Sequence, residues 1–137
     1  MRLLPLLLSL PLAVAPGTAR AAVHVHIDLS TQRMHVTSSS GSYSWLVSTA
    51  RRGYRTPRGS FSAKSLQLMH YSKKYDNAPM PHSIFFSGGF AIHGTYQTRS
   101  LGRPASHGCV RLSPGHAAAL YNMVRQEGAV ILISGGR

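Results

Sequence analysis

The prediction of both fold and function rests on the segment Ile92-His93-Gly94-Thr95, followed ten residues later by Ser106-His107-Gly108-Cys109-Val110-Arg111-Leu112. This segment holds the only cysteine of the 137 residues, with two histidines in the sixteen positions before it. A cysteine that attacks a carbonyl group needs a base to take the thiol proton and donors to hold the oxyanion. Many lone cysteines are simply buried small apolar residues, but this one is flanked by Gly, His and Arg rather than by aliphatic residues. We therefore predict a reactive thiol at Cys109.

Two histidines are candidates for the base. His107 lies two positions before Cys109, so on an extended segment both side chains would leave the same face. His93 must come from a separate strand, and residues 96–105 between the two histidines form a polar segment with the Gly and Pro of a loop that closes the site. The spacing of the residues alone does not choose between the two histidines.

The same residues resemble the catalytic domain of the L,D-transpeptidase (YkuD-type) family. The family motif is a His, a spacer of roughly a dozen or more residues, Ser/Thr-His-Gly-Cys, and an Arg or Asn two positions later; here these positions hold His93-Gly94-Thr95 and Ser106 to Arg111. The likeness extends to Val47-Ser48-Thr49, to Thr56-Pro57-Arg58-Gly59-Ser60-Phe61 and to Met80-Pro81, and so covers nearly all of the chain after residue 22.

The resemblance implies a role for each residue of the motif. Cys109 matches the nucleophile, His93 the base, and the backbone carbonyl of Gly94 the group that orients the base, as an Asp does in a Ser-His-Asp triad. His107 is expected to line the pocket, and the amides of Gly108 and Cys109 are expected to donate to the oxyanion.

Arg111 and Ser106 are the predicted substrate-binding residues. The guanidinium of Arg111 can hold a carboxylate through two hydrogen bonds, and the peptide that this family uses carries several carboxylates. Ser106 has an alternative role, which is to fix its own loop by a local hydrogen bond.

The function implied by the resemblance is peptidoglycan L,D-transpeptidation by cysteine acyl transfer, with no metal and no cofactor. The thiol would attack the third residue of a tetrapeptide stem and release the terminal D-Ala. An amine of a second stem, or of an outer-membrane lipoprotein, would then accept the acyl group. An L,D-carboxypeptidase or a hydrolase of the same fold, acting on stems or on lipoprotein links, is the alternative within the family.

Three readings from other classes fit the sequence less well. Papain-like wall hydrolases carry Cys before His, whereas here His93 precedes Cys109. A non-catalytic cell-wall binding module gives no reason for a lone thiol beside two histidines. A zinc site formed by His93, His107 and Cys109 lacks an obvious fourth ligand.

The N-terminus has the pattern of a secretory signal peptide. Met1-Arg2 precedes a thirteen-residue apolar run, Leu3 to Ala15, and Ala19-Arg20-Ala21 fits the small-x-small cleavage rule. The run is shorter than the roughly 18 apolar residues that a membrane-spanning helix needs, so we expect no retained anchor. These patterns predict a signal peptide at residues 1–21, a catalytic domain at residues 22–137, and a location in the periplasm or cell wall.

The charge of the chain favours an anionic partner outside the cytoplasm. Without Arg2 and Arg20, 13 of the 15 Lys and Arg residues remain against three acidic residues, a net charge near +10. The export signal argues against nucleic acid as that partner and favours the cell wall or anionic lipid. A single cysteine cannot form an internal disulfide in an exported protein, which again points to a thiol with a use.

The pattern along the chain predicts a mainly β fold, with β-sandwich-like mixed sheets and one helix near the C-terminus. Strands are expected where apolar residues alternate, at Val23 to Leu29 and Met34 to Thr37, in a central strand from Tyr43 to Ala50, and at Phe61 to Leu68. Residues 70–81 are expected to form a long loop, the flap that this family has beside its groove. Ser83 to His93 should form a hairpin around Gly88-Gly89, a helix should follow the cap Ser113-Pro114 and end at Gly128, and residues 129–133 should form the last strand.

Overall fold

Two β-sheets and one α-helix make up the fold of the computed structural model, which describes residues 3–5, 7–13 and 21–136. The first sheet has five strands in the order β3-β2-β1-β9-β4, and the second has four in the order β5-β6-β7-β8. The mainly β class with a single C-terminal helix is therefore confirmed. The elements are β1 (Val23–Asp28), β2 (Arg33–Ser38), β3 (Gly41–Leu46), β4 (Gly59–Ser62), β5 (Ser65–Ser72), β6 (Ala78–Ser87), β7 (Phe90–Gly94), a 3-10 turn (Thr98–Ser100), β8 (Val110–Leu112), α1 (Pro114–Glu127) and β9 (Ala129–Ser134).

Strand β1 lies at the centre of the first sheet, antiparallel to β2 and parallel to β9. Its alternating apolar residues, Val23, Val25 and Ile27, are buried as their period of two predicted. In β9 the partners in register with them, Ala129, Ile131 and Ile133, are buried as well. The core of the domain is formed largely by these two strands together with α1 and the second sheet.

Helix α1 begins and ends where the sequence predicted. The hydroxyl of Ser113 accepts a hydrogen bond from the backbone N–H of His116, and Pro114 takes the first helical position, where it loses no hydrogen bond. The cap residue Gly128 has φ 71° and donates its N–H to Val124. The buried face consists of Ala117, Leu120, Tyr121 and Val124 and packs mainly on β6 and β7, which are thereby fixed in position.

The prediction of a central third strand is wrong. Strand β3 ends at Leu46 and forms an edge of the first sheet, with Trp45 its only buried residue. Its apolar character on two sides has another cause, because Trp45 stacks between the rings of Tyr43 and His116. Residues 47–51 leave the sheet and run along the candidate site instead.

The single strand predicted at residues 61–68 is divided between the two sheets. Strand β4 pairs with β9 in the first sheet, whereas β5 pairs with β6 in the second, so the chain crosses from one sheet to the other at residues 63–64. An alternating pattern cannot reveal such a crossing, because both halves of the segment remain extended.

The long loop predicted at residues 70–81 is instead most of a β-hairpin. Strands β5 and β6 pair from Ser65 and Phe85 to Ser72 and Ala78. Asp76 and Asn77 have φ of 53° and 52°, and the N–H of Ala78 donates to the carbonyl of Tyr75. Two consecutive positive φ values closed by this hydrogen bond are typical of a type I′ turn. We refer to residues 72–78 as the hairpin tip.

Part of the predicted signal peptide lies outside the described residues. Residues 14–20, with most of the predicted cleavage site, are not among the described residues. In the described ranges, every helix is too short or too polar to span a lipid bilayer.

Candidate active site

Strands β7 and β8 bring the two halves of the motif together. They are parallel, with Ile92 opposite Val110, His93 opposite Arg111 and Gly94 opposite Leu112. Because side chains alternate between the faces of a strand, the buried Val110 and Leu112 point to the core while His93 and Arg111 share the other face. Cys109 directly precedes β8, and its sulfur lies beside the backbone N–H of Ala91, two residues before His93.

His93 is held in one tautomer by its neighbour. Its Nδ1 donates to the carbonyl oxygen of Gly94 at 2.7 Å, which leaves the Nε2 lone pair of the neutral ring as an acceptor. The side chain is only 6% exposed. Burial lowers the pKa of His93 to about 4, although the Gly94 carbonyl raises it, and the charges of Arg111 and His70 lower it further. His93 is therefore neutral at pH 7.

The thiol of Cys109 rests in its protonated form. Burial raises its pKa, while the N–H of Ala91 and the charge of Arg111 act in the opposite direction. Its sulfur lies 3.8 Å from the carbonyl oxygen of Gly89, an acceptor for the S–H group. The resting site thus favours a neutral thiol and a neutral imidazole over an ion pair, so the proton would move when substrate binds.

Space is tight around two glycines of the motif, most of all around Gly108. A Cβ on Gly108, whose φ is +137°, would lie 2.6 Å from the Phe90 ring and 2.8 Å from the carbonyl oxygen of Arg55. A Cβ on Gly94 would lie 3.1 Å from Pro81 and 3.3 Å from Ala117. Without a Cβ at Gly108, the loop before β8 can lie close to Phe90 and to the backbone of Arg55. We call residues 106–109 the thiol loop.

Ser106 is a structural residue of the thiol loop. It is 0% exposed, its hydroxyl donates to the carbonyl of Cys109 at 2.6 Å, and it accepts from the N–H of Gly108 at 3.0 Å. These local hydrogen bonds and the burial of the side chain favour the alternative role, in which Ser106 fixes its own loop. The N–H of Gly108 is already bonded to the Ser106 hydroxyl, so the N–H of Cys109 is the better candidate for an oxyanion donor.

Thr56 is a residue of the site that sequence reasoning missed. Its buried hydroxyl donates to the carbonyl of Gly108 at 2.8 Å and accepts from the N–H of Ala50 at 3.0 Å. It belongs to the segment Thr56-Pro57-Arg58-Gly59, whose Pro and Gly are typical of a type I turn, but the structure forms no turn there. Thr56 is buried, and its hydroxyl bonds to residues that are distant in the sequence or in no recognisable motif with it. No pattern in the sequence could therefore have revealed this contact.

The segment after β3 supports the thiol loop from the other side. Ser48 pairs with Arg111 through two backbone hydrogen bonds of 2.8 and 3.0 Å, and Thr49 accepts from the N–H of Ser106 at 2.9 Å. The side chain of Gln32, only 4% exposed, bonds to Thr49 at both its N–H and its hydroxyl. The first sheet is thereby tied directly to the loop that carries the thiol.

His107 packs between two aromatic rings. Its ring stacks on Tyr75 of the hairpin tip, with 4.0 Å between ring centroids, and meets the edge of Tyr54 at 4.8 Å. Partial burial and the charges of Arg51, Arg111 and Lys74 lower its pKa. His107 therefore lies as a neutral ring between two loops.

Arg111 is half-buried beside the thiol. Burial and the nearby charge of Arg51 lower its pKa, whereas Cys109 acts against them. Its Nη1 lies 3.5 Å from Oε1 of Gln97, at the outer limit of a hydrogen bond, so most of its donors remain available to a ligand. In the described part of the chain, no three His, Cys, Asp or Glu side chains are grouped so that they could hold a metal ion.

Comparison with known proteins identifies the family. The family model of the YkuD L,D-transpeptidase catalytic domain matches residues 22–133. The chain belongs to this family, as the resemblance of its motif indicated. A search among curated proteins found no match.

Solved L,D-transpeptidases share the fold. An L,D-transpeptidase from Stackebrandtia nassauensis is 29% identical with a TM-score of 0.74, over 87% of this chain and 58% of that one. One from Xylanimonas cellulosilytica is 26% identical with a TM-score of 0.69, over 85% and 62%. L,D-transpeptidase 3 from Mycobacterium tuberculosis, solved with a faropenem-derived adduct, is 20% identical with a TM-score of 0.71, over 82% and 60%. The chain thus spans about three fifths of the length of these relatives.

Proposed function

We propose that the protein is an exported peptidoglycan L,D-transpeptidase that acts by cysteine acyl transfer. The observation that carries this proposal is the pairing of β7 with β8. In this pairing His93, with its Nδ1 held by Gly94, lies opposite Arg111, and Cys109 directly precedes β8. Membership of the family supports the substrate class, a peptidoglycan stem peptide.

In the first half of the reaction, His93 Nε2 takes the thiol proton as Cys109 Sγ bonds to the carbonyl carbon of the third stem residue. The N–H of Cys109 donates to the oxyanion that forms. The bond to the terminal D-Ala breaks, and the imidazolium returns its proton to the departing amine. A thioester remains on Cys109.

In the second half, the amine of another stem attacks the thioester carbonyl and gives its proton to His93. The carbon–sulfur bond breaks, and the thiol is restored. Arg111 holds a carboxylate of the substrate and moves no proton, since its guanidinium stays charged. Ser106 and Thr56 act as positioning residues because they fix the thiol loop.

The test is incubation of the protein from residue 22 with purified tetrapeptide muropeptides, followed by mass analysis. We expect loss of D-Ala with formation of a crosslinked dimer. Tripeptide alone would indicate the carboxypeptidase alternative, and unchanged substrate would contradict the proposal. Addition of an amine-bearing lipoprotein peptide tests the second acceptor.

Cys109→Ala should abolish both turnover and covalent labelling by a carbapenem or penem, while the melting temperature changes little. The adduct in the Mycobacterium tuberculosis relative supports the choice of probe. Cys109→Ser is the matched control for size, and it should also be inactive because a hydroxyl is far harder to deprotonate. Normal turnover by the alanine variant would exclude a role for the thiol.

Export is tested separately. N-terminal sequencing of material from the periplasm should begin at Ala22 if cleavage follows Ala19-Arg20-Ala21. Recovery of the full-length chain in the membrane fraction would contradict a cleaved signal peptide.

A further inference from the structure

Three aromatic rings in contact, one pair stacked and the other edge to face, lie at the thiol loop between two cations. The rings are Tyr54, His107 and Tyr75, with centroid distances of 4.8 and 4.0 Å between neighbours. The guanidinium of Arg51 lies over the Tyr54 ring at 4.9 Å, and the ammonium of Lys74 lies over the Tyr75 ring at 5.5 Å. Each cation is attracted to the face of its ring, which fixes where the charge lies. We call the three rings the aromatic row.

The backbone holds both ends of this row in place. The N–H of Arg51 donates to the carbonyl of Ser106 at 2.9 Å, and its carbonyl accepts from the N–H of Tyr54 at 3.0 Å. At the other end the hairpin tip is closed by hydrogen bonds from Tyr75 to Ser72 and from Ala78 to Tyr75. Three segments far apart in the sequence therefore meet at the thiol loop.

Three positive charges act at the row, those of Arg51, Lys74 and Arg111. In the described part of the chain, no ion pair joins Arg51 or Lys74 to a carboxylate. Asp28 bonds to Ser30 and Glu127 to Ser39, both outside the row. The third acidic residue, Asp76, follows Tyr75 in the hairpin tip. Both cations and Arg111 lower the pKa of His107, after burial, so all three charges act on the residue at the centre of the row. Like charges gathered at the loop that carries a nucleophile, with no ion pair to a carboxylate among the described residues, are typical of a site that binds an anionic ligand.

We propose that Arg51 and Lys74 are specificity-determining residues that bind carboxylates of the substrate on the two sides of His107. Tyr54 and Tyr75 act as positioning residues for these cations. Arg51 suits two-pronged binding, whereas Lys74 supplies a compact point charge. The identity of the substrate as a stem peptide rests on the proposed function; the anion-binding site itself does not.

The first experiment compares two alkylating agents on Cys109. Iodoacetate is an anion and iodoacetamide is neutral, and both react with the same thiolate, so the ratio of their rates cancels changes in the thiol pKa. Arg51→Gln and Lys74→Gln should each lower the iodoacetate-to-iodoacetamide ratio roughly two- to fivefold at low ionic strength. Salt should reduce the difference between variants and parent.

The neighbouring residues provide matched controls. Arg52→Gln and Lys73→Gln remove the same charge one position away, and neither residue contacts a ring of the row in the described structure. These variants should change the ratio much less. Tyr75→Phe keeps a ring for His107 and Lys74 and should keep the ratio, whereas Tyr75→Leu should lower it.

The second experiment uses stem peptides with free or amidated side carboxylates. Arg51→Gln and Lys74→Gln should raise KM for the free acids several-fold, with little change in kcat and little effect on the amidated stems. Equal alkylation ratios in the site variants and their neighbour controls would overturn the proposal, and so would equal KM changes for the acid and amidated stems. Failure of the parent protein to turn over any stem would contradict the proposed function, while the alkylation ratio would still decide the anion-binding site.

Discussion

The thiol loop and the hairpin tip meet where His107 contacts Tyr75, but each region is held in place by different interactions. The thiol loop is fixed by buried hydrogen bonds of Ser106 and Thr56 and by the space around Gly108. The hairpin tip reaches the same place through stacking of Tyr75 on His107. Directional bonds and tight space allow few residue types, whereas ring stacking and turn closure allow many.

This difference predicts that a small change in the thiol loop has a large effect. Gly108→Ala places a methyl group 2.6 Å from Phe90 and 2.8 Å from the Arg55 carbonyl, at a φ of +137° that L residues rarely adopt. We expect a loss of about 3–5 kcal/mol in the free energy of unfolding, from backbone strain and overpacking together. Denaturant unfolding of the variant measures it.

Gly115 in α1 is the matched control for this substitution. A Cβ there meets nothing within 4 Å, so Gly115→Ala should leave stability unchanged or raise it slightly. A Gly108→Ala variant as stable as the Gly115→Ala variant would show that the thiol loop is not held by space.

The second prediction concerns pH and the buried base. His93 has a pKa of about 4 in the folded protein, against the ordinary histidine pKa of 6.5, so the unfolded chain binds more protons between these values. Stability from this group is fully present above pH 6.5 and is lost as the pH falls toward 4, by roughly 3 kcal/mol. Denaturant unfolding at a series of pH values from 4 to 7 measures the slope.

His93→Asn provides the control for this slope. Its amide N–H can replace Nδ1 as donor to the Gly94 carbonyl, but it does not titrate. The variant should be less stable at pH 7, with a flatter dependence between pH 4 and 6.5. The same slope in variant and parent would assign the acid sensitivity to other groups.

The third prediction separates the buried hydroxyl of Ser106 from exposed hydroxyls. Ser106→Ala leaves the N–H of Gly108 and the carbonyl of Cys109 without their partner, which costs about 1–3 kcal/mol. We expect kcat to fall as well, because the thiol loop loses its internal brace. Ser60→Ala on the exposed β4 should change neither quantity appreciably. Full activity and stability in the Ser106 variant would remove the positioning role.

The same contrast explains what the sequence could predict. Local sequence patterns were enough to predict three features: the motif around Cys109, the strand β1 and the caps of α1. Each depends on particular residue types at short spacing in the chain. The Gly94 carbonyl lies where the resemblance implied an orienting group for His93. The interpretation of residues 70–81 failed because Pro79 and Pro81 suggested a loop, yet both lie in β6 opposite Tyr71 and Met69. Both prolines lie in the part of β6 that does not pair with β7. Because they are two positions apart, the backbone nitrogens that lack a hydrogen lie on the same side of the strand, where a proline is tolerated.

Other features of the candidate site depend on tertiary contacts, which no local sequence pattern predicts. The hydrogen bond from Thr56 to Gly108 joins residues 52 positions apart, and the pairing of Ser48 with Arg111 places an isolated bridge beside the site. The position of His107 between Tyr54 and Tyr75 likewise depends on how three segments meet. Such contacts become visible only when the two sheets are assembled.

The smallest expected effect is at the hairpin tip, where the turn residues can be improved. Asn77 has φ 52° at the second central position of the turn, which Asn tolerates but Gly adopts with less strain. Asn77→Gly should therefore stabilise the protein by a few tenths of a kcal/mol up to about 1 kcal/mol, with unchanged turnover of the tetrapeptide stem. Thermal unfolding and steady-state kinetics measure the two quantities. Asn77→Val is the opposing variant, because a β-branched residue is strained at positive φ, and it should lower the melting temperature. If the glycine variant lost activity while gaining stability, the hairpin tip would depend on a rigid turn to hold Tyr75 against His107, and the two regions would be more alike than their contacts indicate.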